Sequence, residues 1–294
     1  MKKLLVIVLS MLLVGSFVVG CGDGEETVNG GDEEVQTVEL AHMDWACSIA
    51  STHLASVVLE EEMGYEVDLI QADAGPVYQD IVSGDQDAFV SAWLPVTHGS
   101  YYEEHHEDFD ELGPIYENAR IGLVVPEYME VDSIDELNDS PYGDDLGWEI
   151  TGIDEGAGVM ERTTEAIDEY GLDFDLLPSS DAAMTVNLED AYESEEPVIV
   201  TGWTPHWKFS EWDLKFLEDP KGVYGEAETL DGIAREGLEE DLPEVHQFLS
   251  NFYVDDDQLG EIMGMIADGE DEYEAARIWM EDNMDVVEDW IPEQ

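Results

Sequence analysis

Short apolar runs alternate with longer amphipathic stretches over most of the chain. Residues 38–41, 65–70 and 88–92 have the length and composition of strands. Between the first two, residues 47–63 fit a helix, with Ile49, Leu54, Val57, Val58 and Met63 on one face and Gly64 suited to end it. A second helix follows Asp73-Ala74-Gly75-Pro76 and closes at Gly84. Residues 120–126 read as a further strand that crosses to a second lobe. There the plan repeats: a strand over 149–154, a Gly156-Ala157-Gly158 turn, a helix over 159–170 ended by Gly171, a strand near 174–177 and a helix over 182–193. The run Val198-Ile199-Val200-Thr201 is apolar without alternation, as in a strand covered on both faces. From residue 227 the spacing predicts only helices, over 227–238, 243–252, 258–268 and 272–290. Trp279 and Trp290 lie in these and read as packing residues.

Strands that alternate with helices in each half predict parallel-rich α/β lobes. Both halves also end alike, in Trp93-Leu94-Pro95 and Trp203-Thr204-Pro205, each just past an apolar strand. In open α/β sheets ligands bind beyond the carboxyl ends of the strands. Trp45, Trp93 and Trp203 all fall at such ends. Any one of them could simply plug its local core. Together they suggest a cluster of aromatic faces, which attracts a cation that cannot hydrogen-bond, such as a quaternary ammonium.

Two nearby features suit an anion. Gly158 and Val159 open a predicted helix, whose first N–H groups are free and whose dipole favours negative charge. His98, five residues beyond Trp93, could donate to the same group or could merely cap its loop. Cation and anion sites together fit a small zwitterion.

Composition narrows the class. The chain has 294 residues, enough for two lobes, and 44% of them are hydrophobic. Its 74 Asp and Glu against 9 Lys and Arg give a formal charge of −65. Such a surface excludes nucleic acid, whose phosphates need basic partners. The 10% aromatic content argues against disorder, and the charge suggests adaptation to high salt, where screening removes most self-repulsion. Lys2 and Lys3 precede an apolar run, the layout of a secretory signal, and its ending Val18-Val19-Gly20-Cys21 resembles a bacterial lipobox, which implies a lipidated cysteine. This predicts a signal sequence over 1–20, an acidic flexible tether over 21–36, and acylation of Cys21. Cys47 then has no partner within the chain for a disulfide.

After the tether the chain resembles the glycine betaine-binding proteins of compatible-solute ABC importers. The resemblance rests on Asp44-Trp45 with Ile49-Ala50-Ser51-Thr52, Asp73-Ala74-Gly75-Pro76, Ala92-Trp93-Leu94-Pro95 with Thr97-His98, and Ile121-Gly122-Leu123-Val124-Val125-Pro126. Gly152-Ile153-Asp154 with Gly156 and Gly158, Ala182-Ala183-Met184-Thr185, and the run from Thr201 to Trp207 complete it. It implies a two-lobed periplasmic-binding fold of type II-like α/β architecture, with the ligand in a cleft between lobes. Lobe I would comprise 37–125 and 206–294, and lobe II 126–205. By resemblance, Trp45, Trp93 and Trp203 form the ammonium cage, while His98 and the backbone of Gly158 and Val159 hold the carboxylate. It further implies no enzymatic activity, no cofactor, a monomer, and an ABC permease as partner. The place of action would be the outer face of the cell membrane, through the lipid on Cys21. Glu155 departs from the family's usual proline and puts an acid beside the anion site.

A competing reading is a metal-binding surface lipoprotein. Glu103-Glu104-His105-His106-Glu107-Asp108 carries zinc- and copper-type ligands, although adjacent residues of a helix face different ways. Catalytic signatures such as Gly-x-Ser-x-Gly, Gly-x-x-x-x-Gly-Lys, His-Glu-x-x-His and Cys-x-x-Cys are absent from the sequence.

Overall fold

The structure is a computed structural model that describes residues 35–293. The expected signal sequence, Cys21 and nearly all of the tether therefore lie outside the described residues. In chain order the strands are β1 (Thr37–His42), β2 (Glu66–Gln71), β3 (Ala88–Leu94), β4 (Phe109–Pro126), β5 (Glu149–Thr151), β6 (Asp175–Leu177), β7 (Val200–Thr204), β8 (Leu214–Phe216) and β9 (Glu228–Arg235). The helices are α1 (Ala46–Glu61), α2 (Ala74–Ser83), α3 (Gly99–His105), α4 (Gly158–Tyr170), α5 (Asp181–Glu193), α6 (Lys208–Glu211), α7 (Leu238–Asp241), α8 (Pro243–Asn251), α9 (Asp256–Ala267), α10 (Glu272–Asp282) and α11 (Met284–Val287).

The strands join in the order β2-β1-β3-β9-β4-β7-β5-β6, with β8 beside β4. The long β4 ties two half-sheets together. Its residues up to Ala119 pair with β9, and from Arg120 onward they pair with β7 and then β8. β1 runs parallel to β2 and β3, and β5 runs parallel to β6 and β7, so each half carries a βαβ core. Gly84 and Gly171 take left-handed conformations that end α2 and α4, where a Cβ would be strained.

α1 is buried almost all round, not along one face as its spacing predicts. It packs on β3 and is covered by α9 and α10. Small residues such as Ser48, Ala50, Ser51 and Ala55 let those neighbours approach on several sides. Trp279 and Trp290 are buried and stacked at 6.2 Å, and Phe252 meets the edge of Trp290 at 4.9 Å. The predicted helix over 272–290 breaks at Asn283, whose side chain donates to the Trp279 carbonyl.

One expected helix is a strand. Residues 227–238 read as helical, but 228–235 form β9, antiparallel between β3 and β4. Glu228, Leu230 and Gly232 face inward at every second position, a period of two that the short stretch shares with a helical reading. The first part of β4 was also unexpected, because Gly113, Pro114 and repeated bulges interrupt its alternation.

Asp87 binds β9 to its neighbours. Its carboxylate accepts the Glu39 N–H at 2.9 Å and pairs with Arg235 Nε at 2.7 Å. Both side chains are mostly buried, so neither charge is well hydrated once its partner is gone. Asp87→Ala is expected to cost about 3 kcal/mol of unfolding free energy, measured by urea denaturation, whereas removing the exposed partner Asp241 should cost under about 1 kcal/mol.

Candidate functional site

A small cavity opens where the two half-sheets meet. Its walls are Trp45, Trp93, Trp203, Thr97, Ile121, Ile153, Ala157, Gly158 and Val159. Trp93 stands near the end of the wholly buried β3, and Trp203 near the end of β7. Each strand then turns through a cis X–Pro bond, Leu94–Pro95 and Thr204–Pro205. Trp45 is the residue that precedes α1, and its indole donates to Asp154 at 3.0 Å. The indole N–H groups of Trp93 and Trp203 are buried without a hydrogen-bond partner among the described residues. The three rings thus come from three elements and both half-sheets. The chamber they bound is apolar except at Thr97 and at exposed backbone.

Gly158 and Val159 are the first two residues of α4, so their N–H groups have no carbonyl one turn back in the helix. Gly158 packs directly on the Thr97 loop. A Cβ built there would lie 2.1 Å from the Thr97 carbonyl oxygen and 2.5 Å from its methyl group. Only glycine permits that approach.

The Thr97 loop is itself clamped by Glu228 of β9. The N–H groups of Val96 and Thr97 each donate to Oε2 at 2.9 Å, and the Thr97 hydroxyl donates to Oε1. His98 is wholly buried and sits behind the wall rather than in it, with its ring centroid 5.8 Å from that of Trp45. Its Nδ1 accepts the Trp93 N–H at 3.1 Å, which leaves the proton of the neutral ring on Nε2. That Nε2 has no partner among the described residues. Burial pushes the imidazole down to about 3, so it is a neutral donor.

A second polar cluster supports Trp203 from behind. Asp181 starts α5 and is almost completely buried. It accepts the Ala46 N–H and His206 Nε2, both at 3.0 Å. Trp45, which precedes α1, provides no side-chain cap, and the first turn holds no acid. Asp181 therefore supplies the missing cap from the other half of the molecule. Burial alone raises its carboxyl, but His206 and Lys208 outweigh that, and the net displacement is downward. Burial and Lys208 press His206 down to about 4.

Five of the six residues expected at the ligand site thus line one cavity, and His98 abuts it. Thr97, Ile121, Ile153 and Ala157 were not anticipated. Ile121 is brought there by the strand register, which sets it opposite Trp203 across β4 and β7. The metal reading fares differently. His106 stacks on Tyr102 at 5.2 Å and bonds the Tyr102 carbonyl, and among the described residues no three His, Cys, Asp or Glu side chains gather as ligands.

His98 and His206 also make the fold acid-sensitive. Unfolded imidazoles take up protons near pH 6.5, whereas the folded ones wait until about 3 and about 4. Their contribution to stability is full above pH 6.5 and is lost as pH falls below it, at roughly 1.4 kcal/mol per pH unit for each. Urea denaturation between pH 7 and 4.5 should show this slope, and His98→Gln should make it shallower.

Comparison with known proteins shows the family of the chain and its fold. Residues 36–282 match the family described as the substrate-binding domain of ABC-type glycine betaine transport systems. The glycine betaine/carnitine transport binding protein GbuC of Listeria monocytogenes serotype 1/2a (strain 10403S) is 48% identical over 151 residues, 50% of either chain, so the match spans about half the length of that relative. Lactococcal OpuAC, in a closed conformation with glycine betaine, superposes with a TM-score of 0.83 at 36% identity, over 87% of this chain and 100% of that one. ProX from Borrelia burgdorferi, a glycine betaine/L-proline-binding protein, gives 0.83 at 34%, over 88% and 97%. The fold is the two-lobed α/β fold of periplasmic binding proteins. Among the described residues no helix is long and apolar enough to cross a membrane. The chain belongs to the family of substrate-binding domains of ABC-type glycine betaine transport systems.

Proposed function

We propose that this protein captures glycine betaine, or a closely related quaternary-ammonium carboxylate, outside the cytoplasm and delivers it to an ABC permease. The observation that carries the reading is the convergence of Trp45, Trp93 and Trp203 on one cavity beside the open start of α4. In this reading the three indoles hold the trimethylammonium group, each by roughly 0.5–2 kcal/mol. The carboxylate takes the N–H groups of Gly158 and Val159 and the unpartnered Nε2 of His98. Choline would leave those donors unpaired, a cost of about 1–3 kcal/mol for a buried group.

The sheet supports a slightly different division into lobes from the one read in the sequence. β4 changes partners between Ala119 and Arg120, and β8 pairs with the second half-sheet. Tyr224 bonds Thr163 of α4 at 3.0 Å. We therefore draw lobe II as about 120–225, with 37–119 and 228–293 as lobe I. Trp45 and Trp93 then face Trp203 across the cleft, and ligand favours the closed form because only there do both walls touch it.

Two experiments test the reading. Tryptophan fluorescence during a glycine betaine titration, run in molar salt and in dilute buffer, should saturate. Trp203→Ala should weaken binding about 30-fold, the equivalent of about 2 kcal/mol, and Gly158→Ala should abolish it by holding the Thr97 loop away. Absence of any saturable signal in either buffer, confirmed by calorimetry, would refute the betaine reading. Stability that climbs with salt would support adaptation of the acidic surface. Anchoring is tested separately: Cys21→Ser should move the protein from the membrane fraction to the soluble fraction.

A further inference from the structure

The proposed ligand uses one face of Trp203, and a cation of the protein itself covers the other. Lys208, the first residue of α6, is completely buried. Its Nζ lies 4.2 Å from the centroid of the Trp203 ring and has no hydrogen-bond partner among the described residues. Lys208 takes no part in lining the cavity, whereas Trp203 does, so the indole stands between the ammonium and the chamber. A Cβ on Gly202 would lie 2.4 Å from Val124 Cγ2, so the glycine leaves room for Val124 of β4, while Lys208 Cε at 3.6 Å is in ordinary contact range of the same point. Phe209 offers a second ring at 5.7 Å.

Three other titratable groups face this ammonium. Asp181 of α5 is its counter-charge and stays ionised across the neutral and alkaline range. His206 is neutral at pH 7, with its Nδ1 accepting the Lys208 N–H at 3.1 Å. Cys47 of α1 is buried, with its thiol pushed up to about 12 by burial and by Asp181.

We propose that Lys208 sets ligand affinity through Trp203: its ammonium on the rear face of the indole opposes the ligand's ammonium on the front face, so betaine affinity is coupled to the protonation of this lysine. The inference rests on the betaine reading above. Both cations draw on the same ring quadrupole. They also repel across the ring, at a separation of roughly 8–10 Å, which at an effective dielectric near 20 is a penalty of roughly 15- to 30-fold before salt screening brings it to the order of tenfold. Asp181 compensates the lysine but does not change charge between pH 7 and 10, so loss of the lysine proton removes one positive charge from behind the cage. Burial brings Lys208 down to about 8, within reach of ordinary buffers. Nothing else in the cluster titrates between pH 7 and 9.5, and a quaternary ammonium has no proton to lose.

The test is calorimetric titration of the full chain with glycine betaine from pH 7 to 9.5 at constant salt, for the wild type and Lys208→Met. The wild-type Kd should fall by several-fold to about tenfold across that range. The Lys208→Met value should be flat and close to the alkaline wild-type value. In parallel, 13C-lysine NMR of the wild type, which has only five lysines, should show betaine lowering the Lys208 titration midpoint by up to about one pH unit, because coupling is reciprocal. This second arm decides the matter if the variant does not fold. A wild-type Kd that is flat with pH, a variant that keeps the slope, or a midpoint unmoved by ligand would each overturn the proposal while leaving the betaine reading intact. No binding at any pH would bring down both.

Discussion

The Thr97 carbonyl oxygen lies so near the start of α4 that a β-carbon on Gly158 would be 2.1 Å from it. This one contact sets the distance between the two walls of the cavity. Trp93 and His98 flank the Thr97 loop on one side, and Val159 follows Gly158 on the other. Moving either wall by the width of a methyl group would separate the aromatic faces from the helix start. The loop holds its position because Glu228 takes three of its donors, two N–H groups and the Thr97 hydroxyl. A carboxylate that accepts several backbone bonds is well satisfied even when buried. Glu228 thus fixes a wall it does not itself form.

Carboxylates are so abundant on this chain that their number carries little meaning; their placement carries much more. Among 74 acidic residues, Asp87, Asp181 and Glu228 are buried, and each holds specific donors. Asp87 joins β1, β3 and β9, Asp181 caps α1 from across the cleft, and Asp154 holds the Trp45 indole at half burial. The contacts from Asp154 and Asp181 both land at residues 45–46, at the start of α1. Basic residues are scarce, 9 in all, yet one of them is placed wholly inside, beneath the cage.

The parts of this molecule legible in the sequence were those with a local cause. The left-handed ends of α2 and α4 follow from Gly84 and Gly171, and the matching Trp-x-Pro runs marked the two strands that meet across the cleft. β9 was not legible because its eight residues are too few to separate a period of two from one near 3.6, and its partners lie more than a hundred residues away in sequence. The roles of Glu228, Asp181 and Lys208 were hidden for another reason. A buried charge is recognised by its partners, and those partners come from β3, α1 and β7. With so many acids in the chain, nothing local distinguishes the few that go inside.

The two ends of the proposed ligand are served by opposite kinds of preparation. The ammonium end meets faces that need no hydrogen bonds and lose little when empty. In the betaine reading the carboxylate end meets donors that are fixed in place but unpartnered: a neutral His98 whose other nitrogen is taken by the Trp93 N–H, and helix-start amides with no internal partner. An unfilled buried donor costs more than a filled one gains. If betaine binds as proposed, discrimination sits at the carboxylate end, while the aromatic end supplies most of the attraction and little of the selectivity. Lys208 acts on the attractive end alone. It is placed to change how tightly a betaine is held without changing which betaine is chosen.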